Sequence, residues 1–96
     1  MRYKLLSIFY HYGIFNQMKK LNEECYELIE AINDFIYEDK DEKLIERYDH
    51  VLEEFADVMV VLEQFKAHYE MNNDIIMQIM EKKIDRQLER IEKGRR

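Results

Sequence analysis

Apolar residues recur at helical spacing from one end of the chain to the other. In the segment Arg2 to Tyr12 they are Leu5, Ile8, Phe9 and Tyr12, one face of a helix. Gly13 follows, a residue free to take positive φ, and is expected to close that helix as its C-cap. A second helix is expected from near Asn16, a good N-cap residue. Its stripe is Met18, Leu21, Cys25, Leu28, Ile32 and Phe35, in alternating steps of three and four residues, which is a heptad seam. The charged run Glu38-Asp39-Lys40-Asp41 breaks the pattern and predicts a helix–helix turn, with Asp39 or Asp41 capping the next helix. That third helix runs to about Tyr69 on the seam Leu44, Tyr48, Val51, Phe55, Val58, Leu62, Phe65 and Tyr69, widened by Leu52 and Met59. Asn72 and Asn73 offer caps for a fourth helix, whose stripe is Ile76, Met80, Ile84, Leu88 and Ile91.

The pattern predicts an all-α protein: one domain over residues 1–96, an antiparallel bundle of about four helices, with the tail 93–96 frayed. Composition narrows the choice further. The chain has no proline and two glycines, Gly13 and Gly94, too little turn punctuation for a β-sandwich or an α/β fold. No glycine-rich loop exists to cradle phosphates, so a Rossmann or P-loop site is excluded. A chain this short hides only roughly 60% of its unfolded surface. Its wide stripes are therefore expected to be completed by a second copy. A net charge of −6 argues against a nucleic-acid polymer as partner and suits a protein that holds cations. The single cysteine, Cys25, sits in a seam, reads as a small core residue, and can build neither a disulfide nor a zinc cluster. No apolar run approaches a membrane span, and the first residues lack a signal-peptide core, so a cytoplasmic location is expected.

Four carboxylates on the two central helices stand out. With Cys25 and Phe55 at heptad position a, Glu24 and Glu54 share position g, and Glu27 and Asp57 share position c. A short turn near Lys40 makes the two helices antiparallel neighbours. Equal steps back from that turn pair Glu24 with Asp57 and Glu27 with Glu54. Flank and axial level thus bring all four to one spot. Like charges at close range repel, and folding does not favour such a cluster unless a cation neutralises it. Oxygen ligands select hard cations, Mg²⁺ or Mn²⁺ first. Glu30, Glu38, Glu46 and Glu53 read as solvated positions, and Glu23 falls at the outward position f.

The fourth helix carries Lys83, Arg86 and Arg90 on one face. A tight turn near Met71 would lay it antiparallel on the third helix, with Lys83 level with Met59 and Arg86 level with Ala56. Two cations would then stand beside Glu54 and Asp57, which suits a metal–phosphate ligand. Ordinary intrahelical ion pairing would account for the same residues.

These motifs resemble the MazG-type all-α nucleoside triphosphate pyrophosphohydrolases. The resemblance rests on Glu23-Glu24-x-x-Glu27, a gap of 26 residues, Glu54-x-x-Asp57, and Lys83-Ile84-Asp85-Arg86. It extends to the approach Tyr12 to Leu21 and the continuation Leu28 to Ile32, and so covers roughly residues 12 to 91. It implies Glu24, Glu27, Glu54 and Asp57 as Mg²⁺ ligands, with Mn²⁺ as a substitute. It implies Lys83 and Arg86 as phosphate contacts, and Glu23, Glu24 and Glu27 as the catalytic carboxylates, one of which takes a proton from water. The implied reaction splits a nucleoside triphosphate between the α- and β-phosphates, giving monophosphate and pyrophosphate. The implied assembly is a dimer or tetramer.

Two other functions compete. A di-iron carboxylate bundle uses Glu-x-x-His pairs. None of His11, His50 and His68 has a glutamate three residues before it, which removes that reading. A non-catalytic dimeric adaptor or regulator is supported by the seams alone, and assay against a nucleotide panel with Mg²⁺ discriminates it. Tyr3, Tyr12, Phe15, Tyr26 and Tyr48 could stack a base, although each also reads as a core or interface residue.

Overall fold

A computed structural model describes residues 1–94 of the chain. It contains four helices in sequence, α1 (Arg2–Tyr12), α2 (Ile14–Ile36), α3 (Asp41–His68) and α4 (Asn73–Glu92), and no strand among the described residues. The expected fraying of Arg95 and Arg96 lies outside those residues, while Lys93 and Gly94 form a closing turn on α4.

Gly13 alone separates α1 from α2. Its φ of 89° and ψ of 157° are open essentially to glycine only. It caps α1 with a hydrogen bond from its N–H to the Phe9 carbonyl, and it also starts α2. The second helix therefore begins before Asn16. The Asn16 Nδ2 instead donates 2.7 Å back to the Tyr12 carbonyl, bridging the break. The sharp bend lays α1 across α3. Phe9 is buried there, edge-on to Phe65 at 5.2 Å and stacked on His68 at 4.6 Å.

The central feature is the α2–α3 hairpin, closed by Tyr37–Lys40. Neither Asp39 nor Asp41 caps α3. Lys40 occupies the N-cap without a side-chain bond, and Asp41 is already the first helical residue. Glu38 organises the turn: Oε1 accepts from Arg47 Nε at 3.0 Å, and Oε2 accepts from the Lys40 N–H. The pairing with Arg47 draws Glu38 out of solvent and holds its carboxyl below the usual glutamate range. Glu38 is thus a clamp rather than a solvated position, whereas Glu30, Glu46 and Glu53 are exposed as expected.

The face of α3 turned to α2 is rotated from the expected seam. It buries Val58, Val61 and Gln64, while Phe55 (52% exposed) and Leu62 (43%) look outward. Tyr48, Leu52 and Met59 are exposed with them, so one half of the α3 stripe lies outside while Leu44, Val51, Val58 and Phe65 stay turned inward. On α2, Ala31 is buried, Cys25 is half-buried rather than deep, and Met18 is exposed.

The fourth helix departs most from expectation. Asn72 caps it as expected, its Oδ1 accepting from the Ile75 N–H at 3.1 Å. The preceding turn is a Schellman motif with Glu70 left-handed at φ 50°, closed by a 2.9 Å hydrogen bond from the Met71 N–H to the Lys66 carbonyl. Yet α4 packs against no other helix and buries no residue. The α3 surface near this end is already taken by α1, through Phe9 on Phe65 and His68 and through Arg2 bonded to Ala67 and Glu70. The radius of gyration is 17.1 Å, against about 13 Å for a closed domain of this size. No helix of the described residues is long and apolar enough to cross a membrane.

Candidate metal centre

The hairpin register carries the carboxylates to one level. Glu24 and Glu27 lie one turn apart on α2, and Glu54 faces them from α3. Each offers a carboxylate oxygen, and the three oxygens lie within 4.8 Å of one another. Glu27 and Glu54 meet across the hairpin, as the equal steps from the Lys40 turn anticipate. The charge of Glu24, foremost, holds the Glu27 carboxyl above its usual range. Loss of hydration and the charge of Glu54 push the same way, and Lys20 opposes them.

Glu24 is 5% exposed, and only its Oε1 is paired, with Lys20 Nζ at 2.9 Å. That contact in turn raises the Lys20 ammonium pKa. Glu24 Oε2 and Glu54 Oε2 are buried with no hydrogen-bond partner. Two buried carboxylate oxygens without partners, on residues of one acidic cluster, are costly unless a cation joins them. The donor set is oxygen alone, which fits a hard divalent ion. His50 approaches the rim, with Nε2 at 3.8 Å from Glu54 Oε1. The sequence signal for it is a histidine four residues before Glu54, one helical turn away on the same face.

Asp57 does not join the three. It is exposed, and it lines a cavity of about 620 Å³ between α1 and the hairpin, beside Glu24. Aspartate is one methylene shorter than glutamate, so equal axial level does not bring its oxygens to the cluster. Glu23 is exposed, as its outward position implies, and it also lines the same cavity. The reason is α1: by folding back at Gly13 it walls the flank of α2 on which Asn16, Lys20 and Glu23 lie. Gln17 and Gln64, buried in that wall and bonded at 2.8 Å, were not singled out from sequence. The step rule that pairs Glu27 with Glu54 pairs these two as well, but uncharged amides on apolar flanks drew no notice.

Lys83 and Arg86 are not packed beside the carboxylates. They lie on α4, which leaves α3 free, and both are exposed. The register step carries across the Tyr37–Lys40 turn because α2 and α3 pack. It has no meaning across a turn whose helices do not. Neither residue forms an ion pair among the described residues, so the intrahelical alternative finds no support there.

The MazG nucleotide pyrophosphohydrolase domain matches residues 15–91. No curated protein and no solved structure matches the chain. The match spans every carboxylate of the cluster and nearly all of α4, and leaves out the whole of α1. With most of the chain matched, this protein belongs to the MazG nucleotide pyrophosphohydrolase domain family.

Proposed function

We propose that the protein is a Mg²⁺-dependent hydrolase that splits nucleoside triphosphates between the α- and β-phosphates, releasing the monophosphate and intact pyrophosphate, in the cytoplasm. One observation carries the reading: two buried, unpartnered carboxylate oxygens, on Glu24 and Glu54, inside a three-glutamate cluster of a MazG-family chain. Glu24, Glu27 and Glu54 would hold the ion, with Asp57 at its open side, and Mn²⁺ would substitute. Bound Mg²⁺ supplies charge neutralisation of the triphosphate and acidifies water.

The chain's own residues do the rest. Glu23 lines the cavity without belonging to the three-glutamate cluster, which leaves it free to accept the proton of the attacking water. Glu24 and Glu27 shape the charge around that water. The water oxygen bonds to the α-phosphorus, the bond from that phosphorus to the bridging oxygen breaks, and pyrophosphate leaves with the electron pair. Lys83 and Arg86 bind phosphate from a second copy, in a dimer or tetramer, because within one chain α4 packs on nothing. The exposed stripes of α3 and α4 supply the apolar surface for such an assembly.

Incubation with Mg²⁺ and a panel of nucleoside triphosphates tests the reading. Monophosphate and pyrophosphate are expected in equal amounts, with none from Glu54→Gln. Orthophosphate as first product contradicts it, and a panel left intact favours the adaptor.

A further inference from the structure

The carboxylate cluster already carries a cation of its own chain. Lys20 stands one helical turn before Glu24 on α2, and its ammonium meets Glu24 Oε1 at 2.9 Å. Among the described residues, no other lysine or arginine pairs with Glu24, Glu27 or Glu54. The two ends of the pair lie in different surroundings. The Glu24 side chain is 7% exposed and the Lys20 side chain 52%, and Lys20 lines the open cavity between α1 and the hairpin. Glu24 foremost, and then Glu23 and Glu27, favour the charged form of the ammonium. Lys20 in turn offsets part of the crowding of negative charge at Glu27.

Ordinary helix pairing explains this contact poorly. A lysine four residues before a glutamate is the less favoured order on a helix, because it sets the cation nearer the positive end of the dipole. What the contact does is split Glu24. Oε1 carries the ammonium, while Oε2 is buried without a partner. A divalent ion arriving at the cluster therefore meets a carboxylate that already has a positive charge on it, and the two cations repel. Glu24 is buried and cannot turn away. Lys20 can, since a compact ammonium on a four-carbon stem makes single contacts that it can leave, and the cavity gives it room.

We propose that Lys20 is a tethered counter-cation of the cluster: it holds the Glu24 carboxylate while metal is absent, competes with the divalent ion for it, and so sets the Mg²⁺ concentration at which the site fills. The inference rests on the metal-dependent reading of these carboxylates and adds to it how their filling is regulated. Its sign separates it from a positioning role. A lysine that oriented Glu24 for the ion would weaken Mg²⁺ binding when removed, whereas a competitor strengthens it.

The test is calorimetric titration of the full chain with Mg²⁺ alone, without nucleotide, on the parent, Lys20→Met, Lys20→Arg and Lys19→Met. Thermal melting of the metal-free proteins verifies that each variant folds. Lys20→Met is expected to bind Mg²⁺ roughly three- to fivefold more tightly than the parent, the upper part of the range for an ion pair with one partner in water. Lys20→Arg keeps the charge and should bind no more tightly than the parent. Lys19 lines the same cavity and pairs with no glutamate of the cluster, so Lys19→Met should stay within about twofold of the parent. Equal or weaker Mg²⁺ binding by Lys20→Met overturns the proposal, and so does an equal gain from Lys19→Met, which would mark a general effect of charge. Pyrophosphate release by a parent whose Mg²⁺ affinity Lys20→Met leaves unchanged removes the counter-cation and keeps the hydrolase. Tighter Mg²⁺ binding by Lys20→Met, with no triphosphate split by any of the four proteins, does the reverse.

Discussion

The α2–α3 hairpin and α4 carry apolar stripes of similar regularity, yet one packs and the other does not. In the hairpin, Ala31, Val58 and Val61 are buried and Gln17 meets Gln64, forty-seven residues away along the chain. On α4, Ile84, Leu88 and Ile91 are all more than half exposed. The difference lies in what each stripe has to face. The Glu38–Arg47 clamp sets α2 and α3 side by side. The Schellman turn at Glu70 delivers α4 to a part of α3 where α1 already lies. A periodic stripe thus reports that a face wants burial, not which face will cover it.

The largest effect expected within this comparison is catalytic. Glu24→Gln and Glu54→Gln each remove a proposed metal ligand from the hairpin and should lower Mg²⁺-dependent pyrophosphate release by more than the roughly 100-fold typical of an outer-shell partner. Lys83→Ala and Arg86→Ala should raise KM without moving the melting temperature of the metal-free protein, since both side chains are exposed. Loss of stability from either variant would mean that α4 is packed within the chain.

Next in size come substitutions that weigh the helices packed around the hairpin against the unpacked α4. Phe9→Ala empties a fully buried site and should cost about 3–5 kcal/mol in chemical denaturation. Leu88→Ala on α4 should change the stability of the dilute single chain by no more than about 0.5 kcal/mol. At concentrations where copies associate, sedimentation should show Leu88→Ala weakening the assembly. Gly13→Ala should cost about 1–3 kcal/mol although a Cβ there meets no atom within 4 Å, because the penalty is one of backbone conformation.

The smallest effect is the clamp's pH dependence. Arg47 holds the Glu38 carboxyl below its ordinary value, so folding is favoured by this pair while Glu38 is ionised. That contribution is complete above the ordinary glutamate pKa and disappears as pH falls through the lowered folded value. Melting curves across the acid range should show Glu38→Gln with a shallower loss on acidification than the parent.

Much of this was legible in the sequence, for particular reasons. The turn near Lys40 fixed the register, and the register brought Glu27 to Glu54. Gly13 announced a positive φ, and Asn72 a cap. What escaped notice follows from contacts that periodicity does not encode. The fold-back of α1 turns the flank bearing Glu23 into a cavity wall. The shorter side chain of Asp57 leaves it outside the oxygen cluster that its heptad position shares. The rotation of α3 hides Gln64 and exposes Phe55. Periodicity gives α4 an apolar face but no neighbour to pack on, so Lys83 and Arg86 could be named as a basic face but not located.

Thermal melting of the parent and of Glu54→Gln, each with and without Mg²⁺, tests the central claim most directly. If the buried oxygens of Glu24 and Glu54 await a cation, the parent gains stability with Mg²⁺, by about 2.7 kcal/mol at a hundred times the dissociation constant. The variant, relieved of one charge, should melt at the same or a higher temperature without metal and respond little to its addition. Equal Mg²⁺ shifts in the two proteins, or a metal-free variant markedly less stable than the parent, would show that the glutamates hold the fold together rather than an ion.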